Sequence, residues 1–307
     1  MLLPALTVLA TFACAPAITP LRRTGISPAV LSPWRLTTAA QTIDTLLTQP
    51  MFRSASWGAL VLGPRGDTVY ARNASALMTP ASNTKLVTTA IALTLLGPDF
   101  RFRDSAVALP LRDTVPSDFG PMYDTTELHG MPLRDVLPRI LKPSQNRLAE
   151  QLFYTVALER TGVISRDSAS AVERRQLAAW GVPSDGYILR DGSGYDRGDY
   201  LSAETLVHVL QRMQHEPSFA VWYDALPIAA VDGTLARRMR ASAAERNAHA
   251  KTGSLNAVRA LSGYVTTAGG ARLVFSFICN GFTVAPASVT GTMDRAVATL
   301  AALPNAP

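Results

Sequence analysis

Residues 86–96, LVTTAIALTLL, constrain the fold more than any other part of the chain. They read as a helix that Gly97-Pro98 stops. The apolar residues lie nearly all the way round this helix instead of on one stripe, so it has no face to give to solvent. Thr79 before Pro80 supplies the start: a capping hydroxyl with proline at the first helical position. The remaining elements must surround this segment.

Those elements fall into a pattern. "WGALVLGPRGDTVYARN", residues 57–73, reads as two strands around a Gly-Pro-Arg-Gly-Asp turn. Near the other end, "AVRALSGYVTT" and "ARLVFSFICNGF" flank Ala-Gly-Gly as a second hairpin, and "TMDRAVATLAAL" closes with a helix. Helices fit Thr37–Leu47, Pro132–Leu141, the run RLAEQLFYTVALER, 167–180 and 202–214. Strands lie at both ends and helices between them. That order predicts an α/β (α+β) fold: residues 37–80 and 225–307 form an α/β lobe, and residues 81–224 form an inserted helical lobe. Residues 101–128 are irregular, and no internal repeat is present.

The N-terminal run MLLPALTVLATFACAPAITP is too short for a mature membrane span and fits the apolar core of a signal peptide. No Lys or Arg precedes it. Residues 1–20 are therefore expected to be a signal peptide or lipoprotein leader, with Cys14 as the lipid attachment point in the second case, and residues 21–36 a tether. Export to the periplasm or cell envelope follows from that expectation. Beyond Cys14 the only cysteine is Cys279, inside the apolar run LVFSFIC, where it reads as a small buried hydrophobe. The net charge of +6 suits anionic surroundings such as phospholipid headgroups or a cell-wall polymer. Peripheral membrane association is one partner expectation. Nucleic acid is not, because there is no long basic run and no zinc-finger or aromatic RNA-binding motif. The four histidines form no zinc motif, and no metal or other cofactor is expected.

Of 29 basic residues only three are lysine: Lys85, Lys142 and Lys251. Ser82 and Lys85 stand three apart at the predicted helix start, which places them on one face. A serine hydroxyl needs a base to become a nucleophile. A lysine with a depressed pKa can serve, whereas arginine cannot deprotonate in a protein. A lone S-x-x-K means little, since roughly one match per chain is expected at average composition. Here it is followed by Ser144-Gln145-Asn146 and then Lys251-Thr252-Gly253. K-T-G alone arises by chance in roughly one chain in twenty of this size. The ordered set S-x-x-K, S-x-N, K-T-G is that of serine penicillin-recognising enzymes.

Further segments extend the likeness. "SNTKLVTTAIALTLLGPDFRF", "SQNRLAEQLF", "LRDGSGYDRGD", "LPIAAVDGTLARRM" and "AKTGSLNAVRALSGYV" together cover most of residues 55–280. With the three motifs they make the chain resemble D-Ala-D-Ala carboxypeptidase/endopeptidases of the low-molecular-mass class C penicillin-binding proteins. The resemblance implies an antiparallel sheet with flanking helices, a substrate of peptidoglycan stem peptides, and β-lactam antibiotics as covalent inhibitors. It implies Ser82 as nucleophile, Lys85 as base, and Ser144 as relay to the leaving D-alanine, assisted by Lys251. Asn146 is expected on the substrate backbone, and Lys251 with Thr252 on the terminal carboxylate. Gly253 should let an extended peptide pair with the strand, and the N–H groups of Ser82 and Ser254 should form the oxyanion hole. Asp191 and Ser193 in the D-G-S-G run are expected to line the pocket, although a tight turn explains them equally well. Mutual repulsion of the clustered ammonium groups is expected to depress the base. Glu150 and His249 read as structural.

Two departures stand out. The second motif is S-Q-N where members often carry S-D-N, and only 61 residues separate Ser82 from Ser144, where typical members insert extra domains. Two other readings remain open: a serine β-lactamase, and a non-catalytic penicillin-binding envelope sensor. The first would need a deacylating glutamate in a stretch such as E-x-x-L-N, and none occurs between Glu150 and Lys251.

Overall fold

The computed structural model describes residues 33–104, 106–108 and 122–304. The expected leader, most of the tether and Cys14 lie outside the described residues. The first half contains α1 (Pro33–Leu47), β1 (Ser56–Leu62), β2 (Thr68–Arg72), α2 (Thr84–Leu96), β3 (Ala106–Ala108), β4 (Met122–Asp124), α3 (Leu133–Leu141) and α4 (Asn146–Thr161). The second contains α5 (Arg166–Ala179), β5 (Tyr187–Ile188), β6 (Tyr200–Leu201), α6 (Ala203–Met213), α7 (Phe219–Ala225), β7 (His249–Leu255), β8 (Val258–Thr266), β9 (Arg272–Asn280) and α8 (Pro286–Ala301). Helix α1 starts four residues before the expected Thr37, because Pro33 fits the first turn, where its missing N–H has no intrahelical partner to lose.

Five strands form one antiparallel sheet in the order β2-β1-β9-β8-β7. The two predicted hairpins meet in its middle, with Ser56 opposite Asn280 and Leu62 opposite Val274. Alternation along the strands sends side chains to two cores. Leu261, Val265, Leu273, Phe275, Phe277 and Cys279 face α1 and α8, where they bury with Ile43, Leu47, Val289 and Val297. Ala260, Tyr264, Val274 and Ile278 face the helices of the middle of the chain. Cys279 is fully buried, as its apolar run predicts.

Helix α2 is enclosed as its sequence demands: every residue from Thr84 to Leu93 is buried. Leu86, Val87 and Ile91 lie at the centre, and burying each contributes about 1.5–3 kcal/mol. Its Thr88 and Thr89 hydroxyls are paired rather than solvated. Thr88 Oγ1 donates to Gly192 O at 3.0 Å, Thr89 Oγ1 donates to Lys85 O at 2.6 Å, and Trp222 Nε1 donates to Thr89 Oγ1 at 2.9 Å. Its start differs from the expected one. A 3-10 turn over Ala81–Asn83 precedes Thr84, Ala81 is left-handed (φ 49°), and Thr79 does not cap. The Thr79 N–H is instead held by Asn280 Oδ1 at 2.8 Å, from the end of β9.

Candidate active site

Ser82 sits on the 3-10 turn ahead of α2, half-buried between buried Ala81 and Asn83. Asn83 ties that turn to the sheet. Its Nδ2 donates to Ser262 Oγ at 2.7 Å, and Ser262 Oγ donates to Ser276 Oγ at 2.8 Å. The turn packs on β7, the edge strand carrying the third motif. A Cβ at Gly253 would lie 2.5 Å from Pro80 O and 3.3 Å from the Ala81 Cβ. Gly253 is therefore required by contact with the turn that carries Ser82, a reason that stands beside the expected one, room for an incoming peptide. The same contact brings the two segments expected to supply the oxyanion N–H groups, at Ser82 and Ser254, against each other.

Lys85 is fully buried one turn after Ser82. Its Nζ donates to Ser82 Oγ at 3.0 Å, to Asn146 Oδ1 at 2.6 Å and to Ser193 O at 2.6 Å. Burial lowers its pKa to about 8, against the opposing pull of Asp191, Glu150 and Asp199. Lys251 is also fully buried; its Nζ donates to Ser144 Oγ at 2.8 Å and to Thr252 O at 2.9 Å. Burial holds it well below the ordinary lysine range, and the nearby Lys85 charge pushes the same way. The expected ammonium repulsion thus acts on Lys251, while Lys85 is depressed by desolvation. Ser144 is left-handed (φ 63°), a strained conformation for serine. Two hydrogen-bonded pairs, Ser82–Lys85 and Ser144–Lys251, face one site, with Asn146 bonded to the first.

Asp191 and Ser193 do not line a pocket with their side chains; both are fully buried. Asp191 organises the loop. Its Oδ1 accepts from the N–H groups of Ser193 (3.0 Å) and Gly194 (2.5 Å), and its Oδ2 from those of Tyr195 (3.0 Å) and Asp196 (2.6 Å). Ser193 contributes its carbonyl, which accepts from Lys85. Gly194 presses the loop onto the nucleophile's turn: it has φ 76°, and a Cβ there would sit 1.9 Å from Ala81 O. Glu150 is structural, its Oε1 accepting from Gly192 N at 3.0 Å. Burial, with Asp191 beside each, lifts the carboxyls of Glu150 and Asp199 well above their usual range. His249 stacks on Tyr223 at 3.9 Å, outside the reacting cluster. Sequence reasoning did not find Thr234, whose Oγ1 accepts from Thr252 Oγ1 at 2.8 Å, or the setting of Lys142. The "VDGTLARRM" run was the available signal for Thr234.

The sequence pattern of the D-Ala-D-Ala carboxypeptidase 3 (S13) family matches residues 39–109 and 124–303. The chain belongs to that family. A relative, the D-alanyl-D-alanine carboxypeptidase of Actinomadura sp. (strain R39), is 36% identical over 172 residues, covering 54% of this chain and 32% of that protein. The chain spans about a third of the length of the curated relatives it matches. In fold the S13 chain is similar to penicillin binding protein 4 (dacB) of Haemophilus influenzae, with a TM-score of 0.69 at 16% identity, covering 82% of this chain and 98% of that one. It is similar also to a beta-lactamase of Chitinophaga pinensis DSM 2588, with a TM-score of 0.63 at 16% identity, covering 86% and 98%. The expected fold class, an antiparallel sheet flanked by helices, is the one observed.

Proposed function

We propose that this S13 chain is a serine-type D-Ala-D-Ala carboxypeptidase/endopeptidase that cleaves peptidoglycan stem peptides through an acyl-enzyme. The observation that carries the reading is the buried Lys85 amine, 3.0 Å from Ser82 Oγ and lowered to about 8. At neutral pH a usable fraction is the free base, and it already touches the hydroxyl.

Ser82 Oγ attacks the carbonyl between the two D-alanines as its proton passes to Lys85. The C–N bond breaks, and Ser144, hydrogen-bonded to Lys251, delivers a proton to the departing D-alanine nitrogen. Water then attacks the ester at Ser82 and releases the shortened peptide. Lys251 and Thr252 hold the terminal carboxylate, and Asn146 positions the substrate backbone. β-Lactams acylate the same serine. A solved relative of the same fold, penicillin binding protein 4 of Haemophilus influenzae, has been captured with a β-lactam, which supports this part of the reading. Action on cell-wall peptide also implies export to the envelope, in keeping with the basic charge of +6.

The test is release of D-alanine from a diacyl-D-Ala-D-Ala peptide, with intact-mass detection of a penicillin adduct on Ser82. Both signals should be present in the wild type and absent in Ser82→Ala. Equal D-alanine release by the two proteins would refute the mechanism, and rapid steady-state hydrolysis of a cephalosporin would favour a β-lactamase instead.

A further inference from the structure

Lys142 belongs to none of the three motifs, yet it lies at a junction between two of them. Its Nζ donates to Asp232 Oδ2 at 2.6 Å and to Leu226 O at 2.9 Å. Its own carbonyl accepts from Thr234 N at 3.0 Å. Gly233 lies flat against that carbonyl: φ is 56°, and a Cβ would fall 2.5 Å from Lys142 O. Segment 226–234 is thus clamped to the residue two before Ser144. The same segment is fixed to β7. Pro227 O accepts from Ala250 N at 2.9 Å, Ile228 bridges His249, and Thr234 Oγ1 accepts from Thr252 Oγ1 at 2.8 Å. Asp232 Oδ1 closes the segment on itself by accepting from Ile228 N at 2.9 Å.

These contacts form a ring. It runs from Lys142 through segment 226–234 to Ala250 and Thr252, across Lys251 Nζ to Ser144 Oγ, and back along two peptide units to Lys142. Without the clamp, the direct tie between Ser144 and Lys251 would be one hydrogen bond, with Asn146 held to Lys85 on the far side of Ser144. Ser144 is also left-handed, and such a residue keeps its conformation only where its surroundings over-determine it. We propose that Lys142, through Asp232, is a positioning residue that sets the Ser144–Lys251 pair for proton delivery to the leaving group. A compact ammonium reaches a carboxylate and a backbone carbonyl from one point, which arginine's planar fork does not. That accounts for the third lysine in an arginine-rich chain.

The inference rests on the acyl-transfer reading above, and its test separates the two. An amide substrate needs its leaving nitrogen protonated; the matched ester, ending in D-Ala-D-lactate, leaves as an alcohol and depends far less on the relay. In Lys142→Met, kcat for the amide should fall about 10- to 100-fold. The ester should lose less than about threefold, KM should stay near wild type for both, and the pre-steady-state penicillin adduct should still form on Ser82. Asp232→Asn, which keeps an acceptor for Ile228 N and loses the ion pair, should show the same split if Lys142→Met folds poorly. Equal losses on amide and ester in both variants would mean that Lys142 only supports the fold, and would overturn the proposal. A wild type inert toward both substrates would instead overturn the acyl-transfer reading.

Discussion

The rate of acylation should follow the titration of a single buried lysine. With Lys85 titrating at about 8, its amine is neutral in roughly one molecule in a hundred at pH 6, one in ten at pH 7 and one in two at pH 8. Acylation of Ser82 by excess penicillin, followed by intact mass, should therefore rise about tenfold from pH 6 to 7 and about fiftyfold from pH 6 to 8, then level off. An ordinary lysine at 10.5 would still climb tenfold per pH unit at pH 9. Once Lys85 is neutral its repulsion of Lys251 disappears, so the second ammonium holds its proton more firmly as the first lets go. Lys85→Arg should be inert across the range, because guanidinium does not give up a proton. The same displacement bears on stability. Lowering the pKa from 10.5 to about 8 corresponds to about 3 kcal/mol at neutral pH for burying the ammonium. The folded pKa lies below the unfolded one, so the unfolded chain binds more protons between pH 8 and 10.5, and this lysine makes stability rise with pH across that window. A flat rate from pH 6 to 8, or one still climbing tenfold per unit above pH 9, would refute the assignment of Lys85 as a burial-tuned base.

Two further outcomes are expected. Glu173 is fully buried and its carboxyl is pushed up to about 8 from 4.5, so it drains stability as pH rises through that interval. Glu173→Gln should gain about 3 kcal/mol over wild type at pH 7 and little at pH 4.5, and a gap in urea midpoint that does not grow with pH would contradict this. Gly194→Ala should slow Ser82 acylation by about a hundredfold by displacing the turn at Ala81, whereas Gly162→Ala, left-handed too but in open space at the end of α4, should lose about 1 kcal/mol of stability and keep full acylation; similar rates for the two would show that the Gly194 contact does not set the nucleophile.

Much of the architecture was legible because it depends on local pattern. The central helix, both hairpins and the helices over 132–214 announce themselves through periodicity and Gly/Pro punctuation, and the observed elements follow within a few residues. Helix α7 did not, since seven residues of FAVWYDA are too few to show a period. The start of α2 was misread for a different reason. Thr79 and Pro80 make a good local cap, but Asn280, 201 residues away, holds both the N–H and the carbonyl of Thr79, and a left-handed Ala81 delays the helix. The same distinction governs the site. Ser82, Lys85, Ser144, Asn146 and Lys251, which the structure brings into one hydrogen-bonded cluster, could be singled out because their residue types and order are chemically constrained. The burial of Asp191 and Ser193 was hidden, because a D-G-S-G turn reads the same whether its aspartate faces a ligand or its own backbone.

The three lysines connect these levels. Two are fully buried and hydrogen-bonded to serines, and the third is about a quarter exposed in an ion pair. An exposed cation can be arginine at no loss, and this chain uses 26 of them. A buried cation that must release a proton cannot be. In the proposed acyl transfer Lys85 is such a cation. Lys251 is fully buried beside Ser144, its Nζ bracketed by acceptors at 2.8 and 2.9 Å. Lys142 is mostly covered in its ion pair with Asp232, and an arginine would supply the same charge there. Charge therefore does not explain a lysine here, and geometry does. It occupies the one point from which a single ammonium joins the loop before Ser144 to the segment behind Thr252.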